Sequence, residues 1–208
     1  MVNVLVSLLF FSKLCLIGAQ FPQKLLLAVY YESDCPDSKQ FILQQLQPTV
    51  ERLHDHLMLQ LIPFGKSKSI DNGNGGFRCQ HGPEECLGNR IQDCALDLMY
   101  GQSDKKRVAY VACEMKTGAG VKGNLECVKS ANLPVKQVEH CVQSSRGLKL
   151  QMDSEYLTSF VRPTFIPAIT VNGVFDQWIQ DSAWVDLMGT LCSLMIETRP
   201  CAQHYNNI

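Results

Sequence analysis

Ten cysteines in 208 residues constrain this chain more than any other feature. Cysteine at this density means a disulfide framework or a metal site, and the compartment decides between them. The N-terminus speaks to the compartment. Residues 1–19 hold an apolar run (Val2, Val4, Leu5, Val6, Leu8, Leu9, Phe10, Phe11, then Leu14, Leu16, Ile17) that ends in Gly18 and Ala19 before Gln20. This reads as a cleaved export signal. Lys13 interrupts the run, which therefore falls short of the ~20 clean apolar residues of a spanning helix. No other stretch is long enough, so no membrane span is expected. Cleavage after Ala19 removes Cys15 and leaves nine cysteines: Cys35, Cys79, Cys86, Cys94, Cys113, Cys127, Cys141, Cys192 and Cys201. Nine is odd, so at least one is free or pairs outside the chain.

Composition narrows the partners. The chain is 46% hydrophobic with a net charge of −1, ordinary for a packed domain. It has no basic surplus to hold nucleic acid or an anionic membrane surface. Proteins or ligands in the extracellular space are the expected partners.

Hydrophobic patterning predicts a buried strand at Lys24–Tyr31, a turn at Glu32–Asp34, and a helix opening at Cys35-Pro36. That helix carries Phe41, Ile42, Leu46, Val50, Leu53 and Leu57 at three- and four-residue steps. Pro36 suits its first position, and Pro48 is expected to kink or split it. A second strand follows at Leu57–Phe64, then a Gly/Asn/Ser-rich loop to Gly76. Helical spacing resumes from Glu84 to Tyr100 and from Asn132 to Cys141, in a region that carries six of the nine cysteines. Strand signals return at Phe165–Val171. Asn172-Gly173 then predicts a hairpin with Val174–Trp178 pairing back, and Trp184–Met195 reads as a closing helix. The order is β-α-β, a helical insert, then β-β-α. This α/β order is the thioredoxin-like plan, with a helical, cysteine-rich insertion between its halves. The boundaries read as 1–19 signal, 20–75 first half, 76–145 insertion, and 146–208 second half with the C-terminal helix.

Chemistry concentrates at Cys35-Pro36-Asp37-Ser38, where a strand feeds a helix. Unpaired N–H groups and the macrodipole at a helix start favour a thiolate, the reactive form of cysteine. Glu32, Asp34 and Asp37 oppose it. In a two-cysteine site the second thiol, one turn on, resolves the mixed disulfide that the first one forms. Ser38 stands in that place and forms no S–S bond. Pro167, at the head of the later strand, stands where a thioredoxin-like fold has a cis-proline facing the cysteine.

Residues 79–94 carry a longer motif. Cys79-Gln80-His81-Gly82, two residues, Glu85-Cys86, two residues, Asn89, four residues, Cys94 resembles at every fixed position the signature of the gamma-interferon-inducible lysosomal thiol reductase (GILT) family. Leu25–Tyr31 leading into Cys35-Pro36-Asp37, Gln45–Val50 with Pro48, and Pro163–Gly173 are similar to further parts of that family. The resemblance implies a thioredoxin-like fold with a helical insertion, reduction of protein disulfides at acidic pH, a nucleophile at Cys35, a cis-proline at Pro167, and a C-terminal cysteine pair at Cys192 and Cys201.

Two departures shape the functional expectation. Ser38 replaces the resolving cysteine. No Asn-x-Ser/Thr sequon occurs, so secretion is favoured over lysosomal delivery through N-glycan tags. Setting Cys35 aside leaves eight cysteines for four structural disulfides, of which Cys192–Cys201 is the one pairing singled out. Cys79, His81, Cys86 and Cys94 taken together resemble zinc ligands, but export favours disulfides; no metal and no resident cofactor is expected. His54 and His56 read as a solvated helix end, and Trp178 and Trp184 as core or hairpin packing. The expected function is a secreted GILT-like binding or modulating factor without normal dithiol turnover. The alternatives are a weak monothiol reductase or isomerase, resolved by an external thiol such as glutathione, and covalent pairing through Cys35 in a mixed disulfide or dimer.

Overall fold

The computed structural model describes residues 24–195 and 198–206. The export signal expected at 1–19, with Cys15, lies outside them. The chain opens with β1 (Leu25–Tyr31), then runs through one helical rod: α1 (Pro36–Phe41), a π-helical turn (Ile42–Leu46) and α2 (Gln47–Leu53). The expected break at Pro48 takes the form of this π turn, in which the Gln47 N–H reaches back to the Ile42 carbonyl. Proline has no N–H to continue the ladder, and a π-bulge accommodates that without ending the helix.

Then follow β2 (Leu57–Pro63) and a small hairpin of β3 (Lys68–Ser69) and β4 (Phe77–Arg78) within the Gly-rich loop region. The helical segment comprises α3 (Pro83–Leu98), α4 (Asp104–Thr117), α5 (Glu126–Ser130), α6 (Val135–Gln143) and α7 (Ser145–Val161). It runs to Val161, past the limit at 145 read from the sequence. β5 (Ala168–Val171), α8 (Gln177–Ser193) and α9 (Arg199–Tyr205) complete the chain.

β1 is the centre of a three-stranded sheet ordered β2-β1-β5. It pairs in parallel with β2, from Leu25 opposite Leu57 to Tyr31 opposite Pro63, and antiparallel with β5, from Leu27 opposite Val171 to Tyr30 opposite Ala168. Both faces of β1 are covered. Leu27, Val29 and Tyr31 face Phe41, Ile42, Leu46 and Leu53 in the larger core, while Ala28 and Tyr30 join Ile62, Phe64 and Ala168 in the smaller one. A strand buried on both faces reads as the continuous apolar run seen in the sequence.

The expected return strand at Val174–Trp178 does not form. Val171 and Val174 make a single bridge, and Asp176 then caps α8, its Oδ1 accepting from the Ile179 N–H at 2.9 Å. An N-cap two residues after the bridge commits the backbone to helix before a strand can extend. Trp178 is consequently 64% exposed rather than packed. Trp184 does pack, its ring stacked on Phe41 with centroids 6.0 Å apart.

Four disulfides link Cys79–Cys86, Cys94–Cys141, Cys113–Cys127 and Cys192–Cys201. They tie the loop before α3 to its first turn, α3 to α6, α4 to α5, and α8 to α9. Among the described residues Cys35 is free. Cys79, Cys86 and Cys94 are all consumed in disulfides, which removes them as zinc ligands.

Candidate functional site

The sheet delivers β1 to the turn Glu32–Asp34, and Cys35 is the N-cap of α1. Its backbone is extended there (φ −75°, ψ 122°), and the Ser38 N–H donates to Sγ at 3.5 Å. Sγ is thus the group that answers an orphan N–H at the helix start. Cys35 is 7% exposed. Ser38 is fully buried, one turn below, and its Oγ accepts from the Glu32 N–H at 3.3 Å.

Pro167 enters from the other side. The Ile166–Pro167 bond is cis, and the Ile166 carbonyl lies 3.9 Å from Cys35 Sγ, within reach of the thiol as a donor. Gln180 of α8 fixes this segment from behind. Its Nε2 donates to the Pro167 carbonyl at 3.2 Å, and its Oε1 accepts from the Ile169 N–H at 2.9 Å.

The 79–94 motif forms the wall facing the Cys35 turn. The Ser33 N–H donates to Asn89 Oδ1 at 2.8 Å, and Ser33 Oγ donates to the Glu85 carbonyl at 3.0 Å. The Tyr31 hydroxyl donates to Gln92 Oε1 at 2.7 Å. Glu85 holds His81 twice, accepting its N–H on Oε1 at 3.2 Å and facing Nδ1 with Oε2 at 2.6 Å. Gly82 starts α3 at φ 109°, ψ −177°, a region open almost only to glycine. Gln80 is exposed.

Of the three acids near the thiol, Asp34 and Asp37 face solvent and Glu32 turns inward. Its Oε1 accepts from the Lys66 N–H at 2.7 Å. Gly65 makes room for this, since a Cβ there would meet Glu32 Cγ at 2.4 Å. Glu32 Oε2 is buried without a hydrogen-bond partner, 3.5 Å from His81 Nδ1. Burial pushes the Glu32 carboxyl above its ordinary range, with Glu85 adding to the rise, while the Lys66 N–H and His81 pull it down. A carboxylate oxygen of Glu32, Cys35 Sγ and a ring nitrogen of His81 all lie within 4.8 Å of one another.

Of the residues named from the sequence, the structure brings Cys35, Ser38 and Pro167 together with His81, Glu85 and Asn89 of the motif, while Gln80 stays at the surface and Cys94 bonds to Cys141. Sequence reading missed the inward turn of Glu32 and its meeting with His81, which is 49 positions away. Gly65 after β2, and a carboxylate directly after a buried strand, are the only local signs of it.

The arrangement is a thiol at a helix start, backed by a buried hydroxyl and faced by the Ile166 carbonyl of the cis Ile166–Pro167 bond. Known proteins resemble this chain at several levels. The profile of the family described as gamma interferon inducible lysosomal thiol reductase (GILT) matches residues 26–145. GILT-like protein 1 of Drosophila melanogaster is 32% identical, over 91% of this chain and 84% of its own length. The gamma-interferon-inducible lysosomal thiol reductase of Carassius auratus is 34% identical, over 84% of this chain and 70% of its own. Among solved structures, the oxidoreductase DsbA from Xylella fastidiosa superposes with a TM-score of 0.53 at 16% identity, covering 85% of this chain and 88% of that one. At that identity the likeness speaks for fold alone, which is thioredoxin-like. With the motif, the topology and these relatives in agreement, the chain belongs to the GILT family of thiol reductase-like proteins.

Proposed function

We propose that this protein is a secreted GILT-family scaffold with a degenerate redox site, acting on extracellular proteins or cell-surface ligands as a binding or modulating factor. Ser38 carries this reading. In a dithiol site the thiolate attacks a substrate disulfide, one sulfur leaves as a thiol, and the second cysteine then displaces the other. Here Cys35 can take the first step: its sulfur bonds to one substrate sulfur while the other departs with a proton. The displacement that frees the substrate and oxidises the site needs a second thiol. Ser38 offers a buried hydroxyl, and the other cysteines of the described residues are in disulfides. The apolar leader at 1–19 and the lack of a sequon support secretion. The exposed side chains Val174, Phe175 and Trp178, just past the cis-proline strand, support a binding role.

A second reading keeps chemistry at Cys35, because Sγ does sit at the helix start opposite the Ile166 carbonyl. An external thiol such as glutathione would attack the mixed disulfide, leave bonded to the substrate sulfur, and return Cys35 to its reduced form. Mixed-disulfide pairing with a partner, or with a second copy, is the arrested version of the same step.

Insulin-disulfide reduction driven by glutathione separates these readings. On the scaffold reading, wild type and Cys35→Ser turn over at the same rate. Ser38→Cys then exceeds both by about tenfold or more, since a neighbouring thiol acts at an effective concentration far above that of the free one. A glutathione-dependent wild-type rate well above Cys35→Ser moves the assignment to monothiol exchange.

A further inference from the structure

We propose that Glu32, Cys35 and His81 form a zinc-binding site, a set other than the cysteines weighed from the sequence. Three separate pieces of chain supply them: the turn after β1, the N-cap of α1, and the loop before α3. Their ligand atoms all lie within 4.8 Å of one another. Zinc holds S, N and O donors at about 2.0–2.3 Å in a tetrahedron, which sets donor atoms roughly 3.3–3.7 Å apart. Closure therefore needs only a modest inward adjustment of side chains. One thiolate, one imidazole and one carboxylate make the borderline-soft set that suits zinc, whereas magnesium and calcium take all-oxygen shells. The thiolate and the carboxylate together cancel the charge of a divalent ion, so the filled site is neutral where it is buried.

Glu32 points to the ion independently of the thiol. Its side chain is fully buried, and the Lys66 N–H on Oε1 fixes its orientation. Oε2 then lies inside the cluster with no hydrogen-bond partner. A buried carboxylate oxygen without a hydrogen bond is costly, and a cation held by Glu32, Sγ and the imidazole removes that cost. Glu85 takes His81 Nδ1 at 2.6 Å, so Nε2 is the nitrogen left for the ion, and a carboxylate on the opposite ring nitrogen is the pairing that commonly lies behind zinc-bound imidazoles. The imidazole is 28% exposed, so an ion enters from that side. Three protein ligands leave a fourth position for water or an outside donor.

Ser38 makes the site available. A second cysteine there would draw Cys35 into an internal disulfide and remove its thiolate from the donor set. With serine in place, Cys35 stays reduced and free to coordinate. The ion in turn caps the sulfur and shields it from disulfides. None of this depends on whether Cys35 turns over substrate.

The test uses the full folded protein with its structural disulfides intact and Cys35 reduced. Zinc is titrated in competition with a chromogenic chelator, and cobalt(II) is added in parallel as a spectroscopic probe. We expect one zinc per chain, bound at least tenfold more weakly by Cys35→Ser, Glu32→Gln and His81→Gln. Cobalt should give a thiolate-to-metal charge-transfer band that Cys35→Ser abolishes. Wild-type protein alkylated at Cys35 serves as a control free of folding effects, and it should lose the ion as well. Zinc should also slow alkylation of Cys35 by iodoacetamide at least tenfold. Equal zinc binding by native and Cys35-alkylated protein, or a cobalt spectrum without the thiolate band, would overturn the site.

Discussion

Gly88 has no room for a side chain. A Cβ there would stand 2.5 Å from Ser33 Oγ and 2.9 Å from Val121 Cγ2. It is not a fixed position of the 79–94 signature, yet it lets α3 press against the turn that presents Cys35. Gly88→Ala should destabilise the fold by about 1–3 kcal/mol through overpacking, measured by urea denaturation. It should also speed alkylation of Cys35 as the turn is pushed off Asn89. Unchanged stability with an unchanged alkylation rate would mean that Ser33 and Val121 move aside freely. Residues of this kind mark the limit of sequence reading. Cys35, Ser38 and Pro167 are legible because each sits in a local context that gives it meaning. Gly88 and Glu32 matter through contacts more than thirty positions away, such as Glu32 with Lys66, which no local pattern encodes.

At the scale of elements, the π turn and the break in α8 explain each other. Asp186 leaves the helical region at φ −148°, ψ 86°. Gln45, on the π turn, spans the gap. Its Nε2 donates to the Val185 carbonyl at 2.9 Å, and its Oε1 accepts from the Leu187 N–H at 3.2 Å. One amide thus satisfies the backbone on both sides of the break. Gln45→Ala should cost about 1–2 kcal/mol for the two lost bonds and raise amide hydrogen exchange around 185–187. Protection unchanged at those amides would refute the bridge. The long α7 was illegible for a related reason. Its inward positions include Gly147, Gln151, Ser154 and Thr158, small or polar residues where a core-facing helix usually shows an apolar stripe. The predicted hairpin failed at Asp176, where a helix cap outweighed the Asn172-Gly173 turn. β1 and β2, by contrast, are short apolar runs interrupted only by Gln60.

At the scale of the whole molecule, Asp93 is the joint between α3, α7 and the end of β2. Gln151 Nε2 donates to Asp93 Oδ2 at 2.5 Å and to the Pro63 carbonyl at 3.3 Å, and Ser154 Oγ also donates to the carboxyl. Burial raises the Asp93 pKa to about 8, against the pull of these hydrogen bonds. The folded state keeps a proton that the unfolded chain loses near pH 4. The stabilisation is therefore complete below about pH 4 and is lost as pH rises to about 8. Glu114, raised chiefly by burial, acts in the same direction. The denaturation midpoint should therefore fall across that window. Asp93→Asn should flatten the profile, and an equally steep profile in that variant would assign the dependence elsewhere.

The placement of the disulfides sets a bound on how the molecule can be used. None of the four touches β1, α1 or β5; they brace the helices and the C-terminal end. Cys94–Cys141 joins two buried cysteines, whereas both sulfurs of Cys79–Cys86 belong to half-buried residues. That bridge brackets His81 and lies in the wall holding the Cys35 turn. A reductant stronger than recharging Cys35 requires has access to the staple that keeps its surroundings in register. The site has a ceiling on reducing strength as well as a floor, and an assay run in concentrated dithiol interrogates a different molecule from one run in glutathione.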